Sequence, residues 1–454
     1  MSAPRRARDD VLFGAVLFVG ALVPRLWVAL AWAGEPVWDG HYYDFGARRI
    51  AEGLGYSDDL SVDGHLVWHP WCHYPVGYSA LLAFFYRLIG PSHAAAGVAN
   101  ALVGAALAVA TWALASRALS RGRAMAAGLI VALHPGLVLQ AALVMSEPLA
   151  ALLVVTAFWL ATRDARPWRG MALGALALGV GALVRPQALL CAPFLACLVR
   201  GRARVPAAIA ACALALLPVL PWTARNCRVM DGCALVSTNA GWNLAIGAFP
   251  RATGRFETLR SSDGCREVTG QVQQDRCWMR YGLAQIASSP TRWLSLVPAK
   301  LGYTFDHESF AVEYLHEANP EAWPDERRLA ARAATTLVHR MLLAAAALGG
   351  IAFPLSRSGR GAAAQGAALA VVFALVAIAF SSPTPVFWPL AVFAAVLPWA
   401  PLPGRPSAPP ALLLGLALLA TTIVTHAVFF GEDRYHVVVT PVLALLAAAA
   451  LRRK

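Results

Sequence analysis

Two aspartates, Asp39 and Asp44, stand in the stretch GEPVWDGHYYDFGARR, where the first long apolar run gives way to aromatic and charged residues. A carboxylate so placed can act as a general base that deprotonates an acceptor hydroxyl or amine. It can equally be a solvated helix cap, since Asp is a favoured N-cap, and spacing alone leaves both readings of Asp39 open. Asp44 lies five positions on and would point away from Asp39 on a helix, so the facing carboxylate pair of a glycosidase is not indicated.

Other ionisable residues recur at the ends of apolar runs. Glu147, in ALVMSEPLAALL, lies about one turn inside a run. It reads either as a helix-start device together with Ser146 and Pro148, or as a cavity-facing carboxylate that orients a substrate or an arginine. Arg185 in GALVRPQALL, Arg225 in PWTARN and the Arg434-Tyr435 pair in FFGEDRYHVVV occupy similar places. Arginine is always charged and bonds phosphate bidentately, so Arg185 and Arg434 are candidates to hold a lipid-linked phosphate at headgroup depth. The competing reading is snorkelling to lipid headgroups. His73 and Tyr74 join Asp44 as first-loop residues expected to contact substrate. His69 and His73 have the spacing of a helical metal pair, but Pro70 spoils the helix, and no metal-ligand set is assigned. In TNAGWNLAIGAF, Trp242 is a candidate sugar-stacking residue and Asn239 or Asn243 a hydrogen-bonder, against the default of Trp as an interfacial anchor.

These residues need a scaffold, and the composition defines it. The chain has 454 residues, of which 58% are hydrophobic and 14% charged, with a mean hydropathy of +0.57. A soluble domain carries about 25% charged residues. Apolar runs of roughly 18 residues recur from end to end, so the expected fold class is an all-α polytopic membrane protein. The net charge of +13 does not imply a nucleic-acid partner. Its arginines cluster in short connectors, the pattern of cytoplasmic loops under the positive-inside rule.

Taking those clusters as inside gives spans at about 11–33, 92–116, 124–138, 140–161, 170–183, 186–199, 205–224, 330–355, 362–381, 384–400, 410–430 and 435–451. That is about 12, with 11 to 13 as the realistic range and no separate soluble domain within 1–454. The first run, from Val11 to Trp32, reads as a retained span and not a cleaved signal. Residues 34–91 form a first outer loop with two interfacial helices. One carries an apolar stripe of Tyr43, Ala47, Ile50 and Leu54, with Arg48, Arg49 and Glu52 off it. The other is YPVGYSALLAFFYRLIG. Residues 225–328 form a second outer loop. It contains Cys227, Cys233, Cys265 and Cys277, which in an oxidising compartment can form two disulfides. Cys227–Cys233 with Cys265–Cys277 is the first of the three pairings to test. APLPGRPSAPP reads as a stiff inner loop.

The order of these motifs resembles the bacterial GT-C membrane glycosyltransferases of the protein mannosyltransferase and lipid A aminoarabinose transferase type. The residues that carry the resemblance are WDGHYYDFGARRIAEGLGY, YPVGYSALLAFFYRLIG, HPGLVLQAALVMSEPLAALL, GALVRPQALL, PWTARN and FFGEDRYHVVVTPVLALLAA. It implies a GT-C fold and a sugar donor on polyprenyl phosphate. It also implies inverting transfer at the periplasmic face of a bacterial inner membrane, onto a lipid, glycan or protein acceptor. Asp39 then matches the family's catalytic aspartate, while Glu147, Arg185 and Arg434-Tyr435 match positions that line the cavity or touch the donor phosphate. Gly40 stands where protein mannosyltransferases usually have a glutamate, and the second loop lacks their large soluble inserts. The polyprenyl-phosphate sugar is the donor substrate, and no cofactor is assigned with certainty. A divalent cation stays possible, although no dense carboxylate cluster is present to hold one. The alternatives are a transporter or flippase of a lipid-linked sugar, and a non-catalytic envelope scaffold.

Overall fold

In a computed structural model, residues 3–352, 359–382, 384–396 and 408–451 are described. The chain is helical almost throughout. Helices α1 (Ala3–Trp32), α2 (Asp39–Ala51), α3 (Val76–Ile89) and α4 (His93–Ala115) precede α5 (Arg121–Leu133), α6 (Pro135–Leu139), α7 (Glu147–Arg163) and α8 (Pro167–Ala182). A 3-10 helix, Pro186–Leu198, leads to α9 (Arg204–Leu216) and α10 (Leu220–Val229). The second loop holds α11 (Ala240–Ile246), α12 (Gln271–Ser288), α13 (Pro290–Ser295), α14 (Val297–Phe305) and α15 (Phe310–Ala318). The chain closes with α16 (Asp325–Ala352), α17 (Gly359–Ser381), α18 (Trp388–Val396), α19 (Pro410–Val428), a 3-10 turn at Asp433–Val438, and α20 (Thr440–Ala450).

This is the expected all-α membrane architecture, with shorter elements than the apolar runs suggest. Among the described residues, five helices are long and apolar enough to cross a membrane: α1, α4, α16, α17 and α19. Two bent pairs raise the number to seven, α5 with α6 and its continuation to Ala142, and α9 with α10. The other five expected spans fall on shorter helices, and the last part of the 384–400 run lies outside the described residues, as does most of APLPGRPSAPP.

The expected boundary between the 124–138 and 140–161 spans falls elsewhere. Pro135 disfavours helix at the preceding residue, so α5 stops at Leu133 and the chain bends by 53° into α6. Arg25, fully buried on α1, caps that break by donating to the carbonyls of Val131 (2.9 Å) and Ala132 (2.7 Å). The turn itself comes at Leu143–Ser146, so Glu147 is the first residue of α7 and not one turn inside a span. Asn100 on α4 holds this segment through Nδ2 to the Leu143 carbonyl (2.5 Å).

The first loop contains α2 and α3 as expected, plus a hairpin that the sequence reading missed. Strands β1 (Ser57–Val62) and β2 (His65–Pro70) pair antiparallel, Ser57 opposite Pro70. The hairpin corrects the reading of α2. Arg49 is buried and not off the packed face, because Asp59 on β1 meets its guanidinium at 2.7 and 2.8 Å. Leu54 is exposed. In the second loop, Cys227 is bonded to Cys233 and Cys265 to Cys277.

Candidate active site

Asp39 begins α2 but does not cap it. Its Oδ1 accepts a hydrogen bond from the Tyr74 hydroxyl (2.7 Å) and its Oδ2 one from Arg434 Nη1 (2.5 Å). The preceding residue, Trp38, sits at φ 52°, a conformation costly for a bulky side chain. Its ring packs against Phe310 and Tyr314. Burial alone would push the Asp39 carboxyl pKa up. The charge of Arg434, the hydrogen bonds from Tyr74 and Arg434, and the charge of Arg185 outweigh it and hold the carboxyl below its ordinary value.

Arg434 is the hub. Besides Asp39 it lies 3.8 Å from Glu147 and 2.5 Å from Glu432, and its guanidinium covers the rings of Phe310 and Tyr435. The Glu432 approach is an ion contact without hydrogen-bond alignment, since neither Glu432 Oε2 nor Arg434 Nε has a hydrogen-bond partner among the described residues. Burial pushes the Glu432 carboxyl up to about 7 despite Arg434, helped by the nearby charges of Asp39, Asp433 and Glu147. The turn bearing Arg434 is anchored on both sides. Asp433 accepts from the backbone N–H groups of Ser309 and Phe310 (2.8 Å for Phe310), capping α15. His436 bonds the Thr304 carbonyl at the end of α14 (2.8 Å).

Glu147 sits at a helix start beside an arginine. It starts α7, where the helix dipole favours an anion, and it bonds Arg185 Nη1 at 2.5 Å. Arg185 also reaches Ser146 Oγ (3.5 Å) and covers the Tyr435 ring. Asp39, Tyr74, Glu147, Arg185, Arg434 and Tyr435 therefore form one assembly. Arg185, Gln187, His426 and Tyr435 line the polar part of a narrow adjoining cleft, whose other walls include Val154, Leu418 and Val438.

Four candidates lie apart. Asp44 faces α3, paired with Arg48 (2.6 Å) and the Tyr86 hydroxyl. Arg225 braces the loop, donating to the carbonyls of Tyr56 (2.6 Å) and Trp71 (3.0 Å). His73 and Trp242 meet edge to face at 5.9 Å, next to Tyr74. Burial lowers the His73 pKa to about 4, against an opposing pull from Asp39. His69 pairs with Asp58 (2.6 Å) and not with His73. The carboxylates of the assembly all face guanidinium groups, so a cation there would compete with Arg185 and Arg434.

The family glutamate has no room here. A side chain at position 40 would run into the Tyr314 hydroxyl and the Val144 carbonyl, so Gly40 lets α2 sit against the Leu143–Ser146 turn. The sequence reading did not assign Glu432 to the site, nor Gln187, Thr421, Thr425 and His426 along the cleft. Their signal, polar residues inside or at the end of an apolar run, was present at Thr421–His426.

Residues 73–224 match the family of dolichyl-phosphate-mannose-protein mannosyltransferases. This mannosyltransferase-like segment carries Tyr74, Glu147 and Arg185 of the assembly. No curated protein matches the chain. Among solved structures, the Archaeoglobus fulgidus oligosaccharyltransferase tethered to an acceptor peptide is similar at 14% identity and TM-score 0.46, over 96% of this chain and 49% of that one. ArnT from Cupriavidus metallidurans is similar at 14% identity and TM-score 0.38 in its apo state, over 98% and 78%. The undecaprenyl-phosphate-bound ArnT is similar at 15% and 0.37, over 99% and 78%. The chain thus spans about half the length of the oligosaccharyltransferase it resembles.

Proposed function

We propose that the chain is a membrane glycosyltransferase of the bacterial inner membrane. It moves a sugar from a polyprenyl-phosphate donor to a lipid, glycan or protein acceptor at the periplasmic face, with inversion. The observation that carries this reading is the meeting of Asp39 with Arg434 and Arg185 beside a cleft that is apolar over much of its wall. The arginines suit the phosphate of a lipid-linked donor.

In the proposed reaction an acceptor hydroxyl or amine attacks the anomeric carbon while the bond from that carbon to the phosphate oxygen breaks. The electron pair leaves with the phosphate, where Arg434 and Arg185 stabilise it. The acceptor proton passes to Asp39. Paired with Arg434, Asp39 is a weak base, because its carboxyl is held low. Donor phosphate would draw Arg434 away, and Asp39 would become more basic once the donor is bound. Trp242 and His73 would then shape the acceptor side, and the tyrosines Tyr74 and Tyr435 would orient Asp39 and Arg434. The test is binding of undecaprenyl phosphate to purified protein. Arg185→Gln and Arg434→Gln should each weaken it about tenfold or more, as loss of a charge-assisted contact implies. Unchanged binding in both would remove the phosphate-site assignment.

A further inference from the structure

Two residues beyond Arg434, the same 3-10 turn carries His436 into a second, separate cluster. His436 is fully buried and faces Glu308, whose Oε1 lies 3.8 Å from its Nε2. His339, on α16, stacks on His436 with ring centroids 3.8 Å apart. His134, at the break between α5 and α6, brings its Nε2 to 3.6 Å from Glu308 Oε2.

The protonation pattern follows from the backbone. His436 Nδ1 lies 2.8 Å from the Thr304 carbonyl and His339 Nε2 lies 3.0 Å from the Phe305 carbonyl. A carbonyl only accepts, so each of these nitrogens carries the hydrogen, and a neutral ring then presents a lone pair at its other nitrogen. Those lone pairs, on His436 Nε2 and His339 Nδ1, have no hydrogen-bond partner among the described residues, and neither has Glu308 Oε2. Both nitrogens of His134 are in the same position. Acceptors therefore converge in a buried interior, an arrangement that costs free energy unless something satisfies them.

We propose that Glu308, His339 and His436, with His134 as the fourth donor, form a Zn²⁺ site. One ligand atom from each of the first three already lies within 4.8 Å of the others. Zn²⁺ bonds of about 2.0–2.1 Å would draw them to roughly 3.3 Å apart and turn the stacked His339 and His436 rings so that both lone pairs face the ion. Two imidazoles and a carboxylate are a common zinc donor set. Donation of the opposite ring N–H to a carbonyl is the outer-shell arrangement that fixes ligand tautomers. Gly136 makes the room, since a side chain there would overlap the Glu308 carboxyl. The four ligands come from the α5–α6 break, the loop before α15, α16 and the turn that bears Arg434. Metal binding would lock that turn to three other elements. The inference is independent of the transferase reading.

The test uses full-length protein in detergent, purified on a tag without histidine and stripped by a chelator. Metal analysis after Zn²⁺ reloading should give about one equivalent per chain. Co²⁺ should give the visible absorption of a tetrahedral N/O site. His339→Ala and Glu308→Gln should each weaken Zn²⁺ binding by more than about tenfold while eluting as the same monodisperse species. Gly136→Ala, which keeps every ligand residue but drives its methyl into the Glu308 carboxyl, should also weaken it. No Zn²⁺ uptake by wild-type protein, or equal uptake by wild type and both ligand variants, would overturn the proposal. The cluster would then be a proton-sharing Glu308–His436 pair.

Discussion

Asp39 and Arg434 lie 395 positions apart in the chain, yet Arg434 Nη1 donates to Asp39 Oδ2 at 2.5 Å. The first outer loop and the last turn before α20 are thereby joined at one ion pair. That pair holds together an assembly of two arginines and two carboxylates that no single stretch of sequence contains.

Arg434→Gln is expected to lower sugar transfer by about 10²–10³-fold, the range for removing one donor that stabilises developing negative charge. Asp39→Asn should abolish proton transfer and cost at least as much. Because the two act as a unit, the double variant should lose far less than the product of the single losses. Initial rates of the four proteins in membranes of equal protein content would decide it, and fully multiplicative losses would contradict the coupling.

Glu432 gives a pH dependence. Its folded-state pKa is raised to about 7 by burial, so the folded protein holds this proton where the unfolded chain has released it. The stability it contributes is complete below about pH 4.5 and is lost as pH rises through about 7. In function, ionised Glu432 competes with phosphate for Arg434. Affinity for the lipid phosphate should therefore weaken between about pH 6 and 8, and Glu432→Gln should flatten that change. Binding titrations at several pH values would show whether the slope belongs to Glu432.

Glu147 is 1% exposed at its side chain, and its partner Arg185 is 18% exposed. Glu147→Ala leaves Arg185 without its strongest partner and should destabilise by about 3–5 kcal/mol. Arg185→Ala/Glu147→Ala should recover part of that loss. Thermal unfolding in detergent, followed by intrinsic fluorescence, measures both.

Gly40 is where the family pattern and this fold conflict. Gly40→Glu should not restore a family-like pair. It should lower stability by at least about 1–3 kcal/mol, because the new side chain meets the Tyr314 hydroxyl and the Val144 carbonyl. Gly40→Ala should fall in between. A fully stable Gly40→Glu protein would mean that α2 can shift away from Tyr314.

Much of this was legible in the sequence because it was local. Apolar runs gave the membrane class, the stripe Tyr43 and Ala47 gave the face of α2 that packs on α3, and residues at run ends pointed to Asp39, Glu147, Arg185 and Arg434. Element boundaries were harder, since Pro135 and Pro148 break runs that hydropathy alone reads as continuous. Asp44 and Arg225 look like Arg185 in sequence, and only tertiary placement gives them structural partners. The β1–β2 hairpin escaped because Ser57–Val62 is too polar and charged to read as a strand, and its role is to satisfy the buried Arg49. Glu308, His134 and His339 were invisible as a group, because no short spacing links residues from three distant elements.

If Asp39 acts on a reaction fed by polyprenyl-phosphate sugar, its loss must show in the envelope products. The most direct measurement is mass spectrometry of envelope glycans and polyprenyl-phosphate sugars. Host cells carrying wild-type protein, a deletion or Asp39→Asn would be compared at equal abundance. One glycan should be missing from both the deletion and Asp39→Asn, with its polyprenyl-phosphate sugar accumulating in both. An Asp39→Asn profile identical to wild type would contradict it.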